Sequence, residues 1–148
     1  MKVSSNVELP PGVAEPLLSE LISGFLASPV FQPAGVAMAL ETCGPEDGVG
    51  VSAFAYDSRG QWQSIDLANP DDGMETLEDW VALTYSAIGS WFECLIQIVW
   101  SDGAPNAHIE FEFDEDEGRW LYGEHGGRLA ESMRPAALPI PLQPGPHF

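Results

Sequence analysis

The pattern of apolar positions along the chain predicts two amphipathic helices. In the first, apolar residues recur at intervals of three or four from Leu17 to Leu26, between Pro16 and the Ser28-Pro29 pair. The second is METLEDWVALTYSAIG, residues 74–89, whose apolar positions again fall on one face. Each helix therefore has one face that must pack against another part of the protein.

Five shorter runs, apolar or alternating and bounded by turn residues, predict β-strands. Their ranges are 35–43, 49–56, 62–67, 91–100 and 107–113. Asp57-Ser58-Arg59-Gly60 predicts a hairpin turn, and Ser101-Asp102-Gly103 begins a turn that continues to Asn106. The order α-βββ-α-ββ predicts an α+β fold, a single antiparallel sheet of about five strands with helices packed on one face and solvent on the other.

The chain has the length and composition of one folded domain. It has 148 residues, of which 45% are hydrophobic. We expect a single α+β domain over residues 1–134, ending in a short helical piece, RLAESM. Residues 135–148, PAALPIPLQPGPHF, are too rich in proline for a helix or a central strand, and predict a Pro-rich C-terminal tail.

The charge balance restricts the classes of partner. The chain has 23 acidic and 5 basic residues, a formal net charge of -18. Such a field repels nucleic acid and anionic membranes and accelerates encounter with basic proteins. We therefore expect no nucleic-acid and no membrane partner. The N-terminus lacks the pattern of a signal peptide and no apolar run reaches transmembrane length, so a cytoplasmic protein is expected.

The stretch AHIEFEFDEDEGRW, residues 107–120, concentrates acidic residues along one predicted strand and its exit. His108, Glu110 and Glu112 share a face at intervals of roughly 6 to 7 Å along a strand. That spacing is too wide for one small ion with bonds of about 2 Å, so no metal site and no cofactor are expected. A catalytic carboxylate pair needs one protonated and one ionised group in different environments, but these acids share one environment on the predicted strand. The sequence also contains neither the GxSxG pattern of a nucleophile elbow nor a phosphate-binding loop. We expect no catalytic residues and no enzyme.

The two cysteines also fail to indicate a metal site. Cys43 and Cys94 match no zinc spacing. Cys94 lies in the apolar run WFECLIQIVW, which favours a buried thiol over a disulfide.

We interpret the acidic stretch as a surface that binds a basic partner, rather than as a face that only contacts solvent. Arg119 is the only base between Arg59 and Arg128, so the acids have little compensation. Alternation places Trp91 on the same side of its strand as Glu93. Trp91 would then be an exposed aromatic side chain surrounded by acids, and such a combination is typical of binding surfaces. The predicted partner-binding residues are Trp91, Glu93, Glu110, Glu112, Asp114, Glu115, Asp116 and Glu117.

The chain resembles the YezG-like immunity proteins of bacterial polymorphic toxin systems. The resemblance runs from about Leu17 to about Met133 and rests on the order of elements, the YDSRGQW hairpin, the Asp102-Gly103 turn, Phe111-x-Phe113-Asp114 and Trp120. It implies a cytoplasmic antitoxin-like protein without catalytic activity, which binds one cognate toxin domain and blocks its active site. The alternative is an adaptor or secretion chaperone that holds an effector without inhibiting it. The oligomeric state is not predicted.

Overall fold

The computed structural model describes residues 2–9, 12, 14–26, 36–43, 51–65, 74–113 and 129–140. Within these ranges the chain forms six strands and three helices. In chain order they are β1 (Lys2–Ser5), α1 (Ala14–Leu26), β2 (Ala37–Cys43), β3 (Val51–Tyr56), β4 (Trp62–Ile65), α2 (Met74–Ile88), β5 (Glu93–Ser101), β6 (Ala104–Glu112) and α3 (Leu129–Ser132). None of these helices is both long and apolar enough to cross a membrane.

All six strands belong to one sheet, with the order β1-β6-β5-β2-β3-β4. Neighbouring strands are antiparallel except β1, which pairs parallel with β6 at one edge. The predicted α+β fold with a single sheet is confirmed, and β1 is an additional strand. The sequence did not predict β1 because its four residues include only one apolar side chain, Val3. A longer alternation, with Val3, Ser5, Val7 and Leu9 partly buried and their neighbours exposed, continues past the end of the strand.

The two hairpin turns form where the sequence predicts them. Asp57 accepts hydrogen bonds at its carboxylate from the backbone N–H of Arg59 (2.9 Å) and of Gln61 (3.0 Å), and Gly60 takes a φ of 82°. Asp102 and Gly103 have φ values of 54° and 79° and join β5 to β6 in two residues. The strand after this turn therefore starts at Ala104, earlier than predicted.

One face of the sheet, here the first face, packs against α1 and α2. Leu18, Leu21 and Ile22 of α1 and Trp80 and Val81 of α2 are buried on it. The sheet contributes the buried side chains Met38, Leu40, Ala53, Ala55, Ile65, Cys94, Ile96, Ile98, Ala107, Ile109 and Phe111. Cys94 is a free buried thiol, as predicted, and burial raises its pKa above the ordinary value of 9.0.

The opposite face, here the second face, is covered over part of its area by residues 129–140, the covering segment. Ala130 and Met133 of this segment are buried in one cluster with sheet side chains, namely Ala37, Ala39, Phe54, Tyr56 and Leu95. The expectation that solvent contacts the whole of this face is wrong. The five sheet side chains of this cluster contain no polar group apart from the Tyr56 hydroxyl, so their exposure to water would be unfavourable.

Hydrogen bonds fix the covering segment to the sheet and to the β3–β4 turn. The Tyr56 hydroxyl donates to the Ala130 carbonyl (2.7 Å), and Trp62 Nε1 donates to Glu131 Oε1 (3.2 Å). Gln97 Nε2 donates to the Met133 carbonyl (2.8 Å), and Arg134 Nε donates to the Gly60 carbonyl (2.8 Å). The predicted tail begins inside this segment, and its first residue, Pro135, is buried. Residues 135–140 thus lie against the domain, while 141–148 fall outside the described residues.

Candidate partner-binding surface

The acidic residues of the strands all lie on the second face. Glu93 is directly opposite Glu112, and Leu95 is directly opposite both Glu110 and Glu41, so these side chains point to the same side of the sheet. We call Glu41, Glu93, Glu110 and Glu112 the acidic end. Within the six strands that the structure describes, these are the only acidic residues and Lys2 is the only lysine or arginine.

Burial divides the acidic end into an inner and an outer pair. Glu41 is 1% exposed and Glu93 is 0% exposed. Glu110 and Glu112 are partly exposed. The prediction that Glu93 is exposed to a partner is therefore wrong, because alternation identifies the face of a strand but not what covers that face. Glu110 and Glu112 are accessible, as a binding surface requires.

Trp91 is a core residue, and the prediction that it is exposed is wrong. It is 0% exposed and packs edge-on against Tyr85, with ring centroids 5.2 Å apart. Its indole Nε1 donates to Thr84 Oγ1 at 3.0 Å. β5 begins only at Glu93, and the backbone before it bends so that the Trp91 N–H donates to the Gly89 carbonyl. The alternation of β5 therefore does not extend back to Trp91, which turns to the first face.

Phe113 is an exposed aromatic side chain at the end of β6. It directly follows Glu112, the last residue of β6, and is 45% exposed. The apolar residues that alternate with the acids, Ile109, Phe111 and Phe113, predict a core side of this strand. Ile109 and Phe111 are buried and confirm it, whereas the prediction is wrong for Phe113, which follows the last residue of the strand. Asp114, Glu115, Asp116 and Glu117, the rest of the predicted surface, lie outside the described residues.

A hydrogen-bonded chain of side chains crosses from β1 to β6 on the second face. Ser4 Oγ lies 2.8 Å from His108 Nδ1, and His108 Nε2 lies 3.1 Å from Glu110 Oε1. Glu110 therefore belongs both to this chain and to the acidic end. The sequence did not indicate the contact with Ser4, because Ser4 is 104 residues from His108 and lies on the strand that was not predicted.

The described residues do not assemble a metal-binding cluster, since no three histidine, cysteine, aspartate or glutamate side chains among them converge. Comparison of the sequence with protein-family models gave no match, and neither did comparison with curated proteins.

Proposed function

We propose that the chain is a cytoplasmic immunity protein, which binds a basic domain of a cognate bacterial toxin, such as a nuclease, and blocks its activity without catalysis of its own. The observation that carries this proposal is the segregation of the strand carboxylates, four on one face of the sheet and none on the other. The resemblance to YezG-like immunity proteins supports the same class.

The arrangement favours a basic partner for an electrostatic reason. A cationic partner is attracted by the accessible carboxylates of Glu110 and Glu112, and the field of a chain with net charge -18 accelerates the encounter.

The accessible part of the surface presents the carboxylates of Glu110 and Glu112 on the second face. Glu41 and Glu93 are buried, so neither side chain contacts the partner.

The experiment that tests the class mixes the purified chain with the toxin domain encoded beside it. An immunity protein abolishes the activity of the toxin at a one-to-one ratio. An adaptor or secretion chaperone instead binds and leaves the activity intact. A chain that forms no complex with the domain contradicts both functions.

The experiment that tests the surface neutralises Glu110, Glu112 and Asp114 together, as glutamine, glutamine and asparagine. We expect the association rate to fall about tenfold at low salt, because steering by charge raises on-rates by that order or more. A matched control, Glu78→Gln with Asp79→Asn and Asp102→Asn, removes three charges from exposed positions on α2 and in the β5–β6 turn and leaves the rate nearly unchanged. If both sets of substitutions slow association equally, the steering depends on the net charge of the chain and not on this surface.

A further inference from the structure

The covering segment, residues 129–140, has little structure of its own. Its helix, α3, has four residues, and a helix of that length is not stable without tertiary contacts. The hydrogen bonds that join the segment to the sheet and to the β3–β4 turn each involve a side chain, such as the Tyr56 hydroxyl or Gln97 Nε2. Among the described residues, no backbone-to-backbone hydrogen bond links the segment to a strand. The segment therefore lies on the sheet without belonging to its hydrogen-bonded ladder.

The apolar contact between the segment and the second face is small. Ala130, Met133 and Pro135 are buried, and Leu138 packs partly buried against the same cluster. Burial stabilises roughly in proportion to the apolar area that is removed from water. Met133 is the largest of the three buried side chains, so it makes the largest apolar contribution to the closed position of the segment.

Polar atoms without a partner collect where the segment meets the β3–β4 hairpin. In the described part of the chain, four buried side-chain nitrogen or oxygen atoms form no hydrogen bond within the protein. Three of them are Glu131 Oε2 and Arg134 Nη2 of the segment and Gln61 Oε1 of the turn. Gln61 lies between Gly60 and Trp62, which both hydrogen-bond to the segment. A buried polar atom without a hydrogen bond is unfavourable, so opening of the segment is favoured by the access that it gives water to these atoms.

The first face holds the sheet together without the segment. Helices α1 and α2 cover this face, and its core includes Trp80 and Trp91, which are 1% and 0% exposed. This core, as far as the structure describes it, contains no residue of the segment. Parts of a protein with few buried contacts open at a lower free energy than the core does. The segment can therefore leave the sheet while the first-face core stays intact.

We propose that the covering segment is a strap, which opens from the second face while α1, α2 and the six strands stay folded. In the open form, five sheet side chains lose their cover, namely Ala37, Ala39, Phe54, Tyr56 and Leu95. Leu95 is directly opposite both Glu41 and Glu110, so this apolar area borders the acidic end. The strap therefore controls whether the second face presents an apolar area beside its carboxylates.

Oxidation of methionine tests the strap, because Met133 and Met38 are both 0% exposed but lie on opposite faces of the sheet. Hydrogen peroxide transfers one oxygen atom to an accessible thioether sulfur, which gives the sulfoxide and water. Met133 becomes accessible when the strap opens, whereas Met38 lies in β2 under the helices and becomes accessible only when the domain unfolds. Mass spectrometry of peptides from the full chain measures both rates. We expect Met133 to be oxidised about tenfold faster than Met38 or more, and an equal or lower rate at Met133 overturns the proposal.

Urea distinguishes local opening from unfolding without any substitution. The effect of a denaturant scales with the surface that a transition exposes, and the strap exposes far less than the whole domain. At urea concentrations below the unfolding transition, we expect the oxidation rate of Met133 to change less than about twofold and that of Met38 to rise about tenfold or more. Equal dependence on urea at the two methionines overturns the proposal.

A variant of the first-face core provides a second measurement. Leu21→Ala removes a side chain of α1 that is 1% exposed and lowers the global stability of the domain. We expect oxidation of Met38 to accelerate about tenfold or more and that of Met133 to stay unchanged. Ser19→Ala, at an exposed position of the same helix, is the matched control and leaves both rates unchanged.

A parallel acceleration at both methionines in Leu21→Ala contradicts the proposal. If Leu21→Ala does not fold, the dependence of the two rates on urea in the unsubstituted chain decides the question. Both experiments use the chain without a partner, so neither outcome bears on the proposed immunity function.

Discussion

The two faces of the sheet are built on different principles. The first face is covered by two helices, α1 and α2, and its buried side chains from β6 to β4 are apolar apart from Thr42. The second face is divided among an apolar part under the covering segment, a pocket between strands β1, β5 and β6 and residues 135–137, and the acidic end. The difference shows that the first face serves stability, while the second combines a smaller core with charged groups that stability alone does not favour.

The largest expected effect tests where the first face ends. Trp91→Ala should lower the free energy of unfolding by about 3–5 kcal/mol, because it removes a fully buried indole. Urea denaturation measures the change. Ile140→Ala, at a residue that is 79% exposed, is the control and should change the value by less than about 0.5 kcal/mol. A similarly small effect of Trp91→Ala would indicate that Trp91 is exposed, as alternation predicts.

The next effect tests how closely the covering segment lies against the β3–β4 turn. Gly60 has a positive φ, and a Cβ there would collide with the Pro139 carbonyl. Gly103 has a similar φ of 79°, with open space around it. Gly103→Ala should therefore lower the free energy of unfolding by about 1–2 kcal/mol, and Gly60→Ala by about 2–4 kcal/mol because the collision adds to the strain. Equal losses in thermal or urea unfolding would show that the segment does not approach the turn.

A buried titratable group on each face gives a third test, at alkaline pH. Burial raises the pKa of Tyr56 on the second face above its ordinary value of 10.0, as it raises that of Cys94 on the first face above 9.0. Below pH 9 both groups are protonated in both states and have no effect. Above its ordinary value each group ionises only in the unfolded state, so stability falls as pH rises, by about 1.4 kcal/mol per pH unit for each group.

Two variants separate these contributions. Cys94→Ala should reduce the loss of stability that begins near pH 9, and Tyr56→Phe the further loss that begins near pH 10. The free energy of unfolding, measured from pH 7 to 11, checks both. An unchanged alkaline slope in either variant would mean that the corresponding group is accessible in the folded protein.

The smallest expected effect concerns the acidic end. Glu112→Gln should raise the free energy of unfolding by about 0.2–1 kcal/mol, since it removes a charge directly opposite Glu93. Glu78→Gln, at an exposed site on α2, is the matched control and should have a smaller effect. A loss of stability in Glu112→Gln would indicate that the carboxylate of Glu112 is favourably paired and that the acidic end is a structural feature.

Much of the fold was predictable because periodicity and turn chemistry are local properties. The α2 range and both hairpin turns follow from residues close together in sequence, such as Asp57 with Gly60 and Asp102 with Gly103. β1 and the covering segment were not predictable in the same way. Both are defined by contacts with distant residues, since β1 pairs with β6 and Ala130 accepts from Tyr56.

The candidate site was predicted less completely than the fold, and for related reasons. The identity of the face that carries Glu93, Glu110 and Glu112 followed correctly from alternation. The exposure of Glu93 and Trp91 did not, because exposure depends on what packs over a face and on where a strand begins. Ser4 could not be associated with His108 without β1.

Footprinting of carboxyl groups tests the central claim, that the second face binds a basic partner, most directly. Glu110 and Glu112 can be amidated by a carbodiimide and glycine amide, with and without the toxin domain, and the extent of labelling measured by mass spectrometry. We expect the domain to protect Glu110 and Glu112 and to leave the labelling of Glu78 and Asp79 on α2 unchanged. Protection of the α2 acids, with Glu110 and Glu112 labelled as in the free chain, would contradict the account.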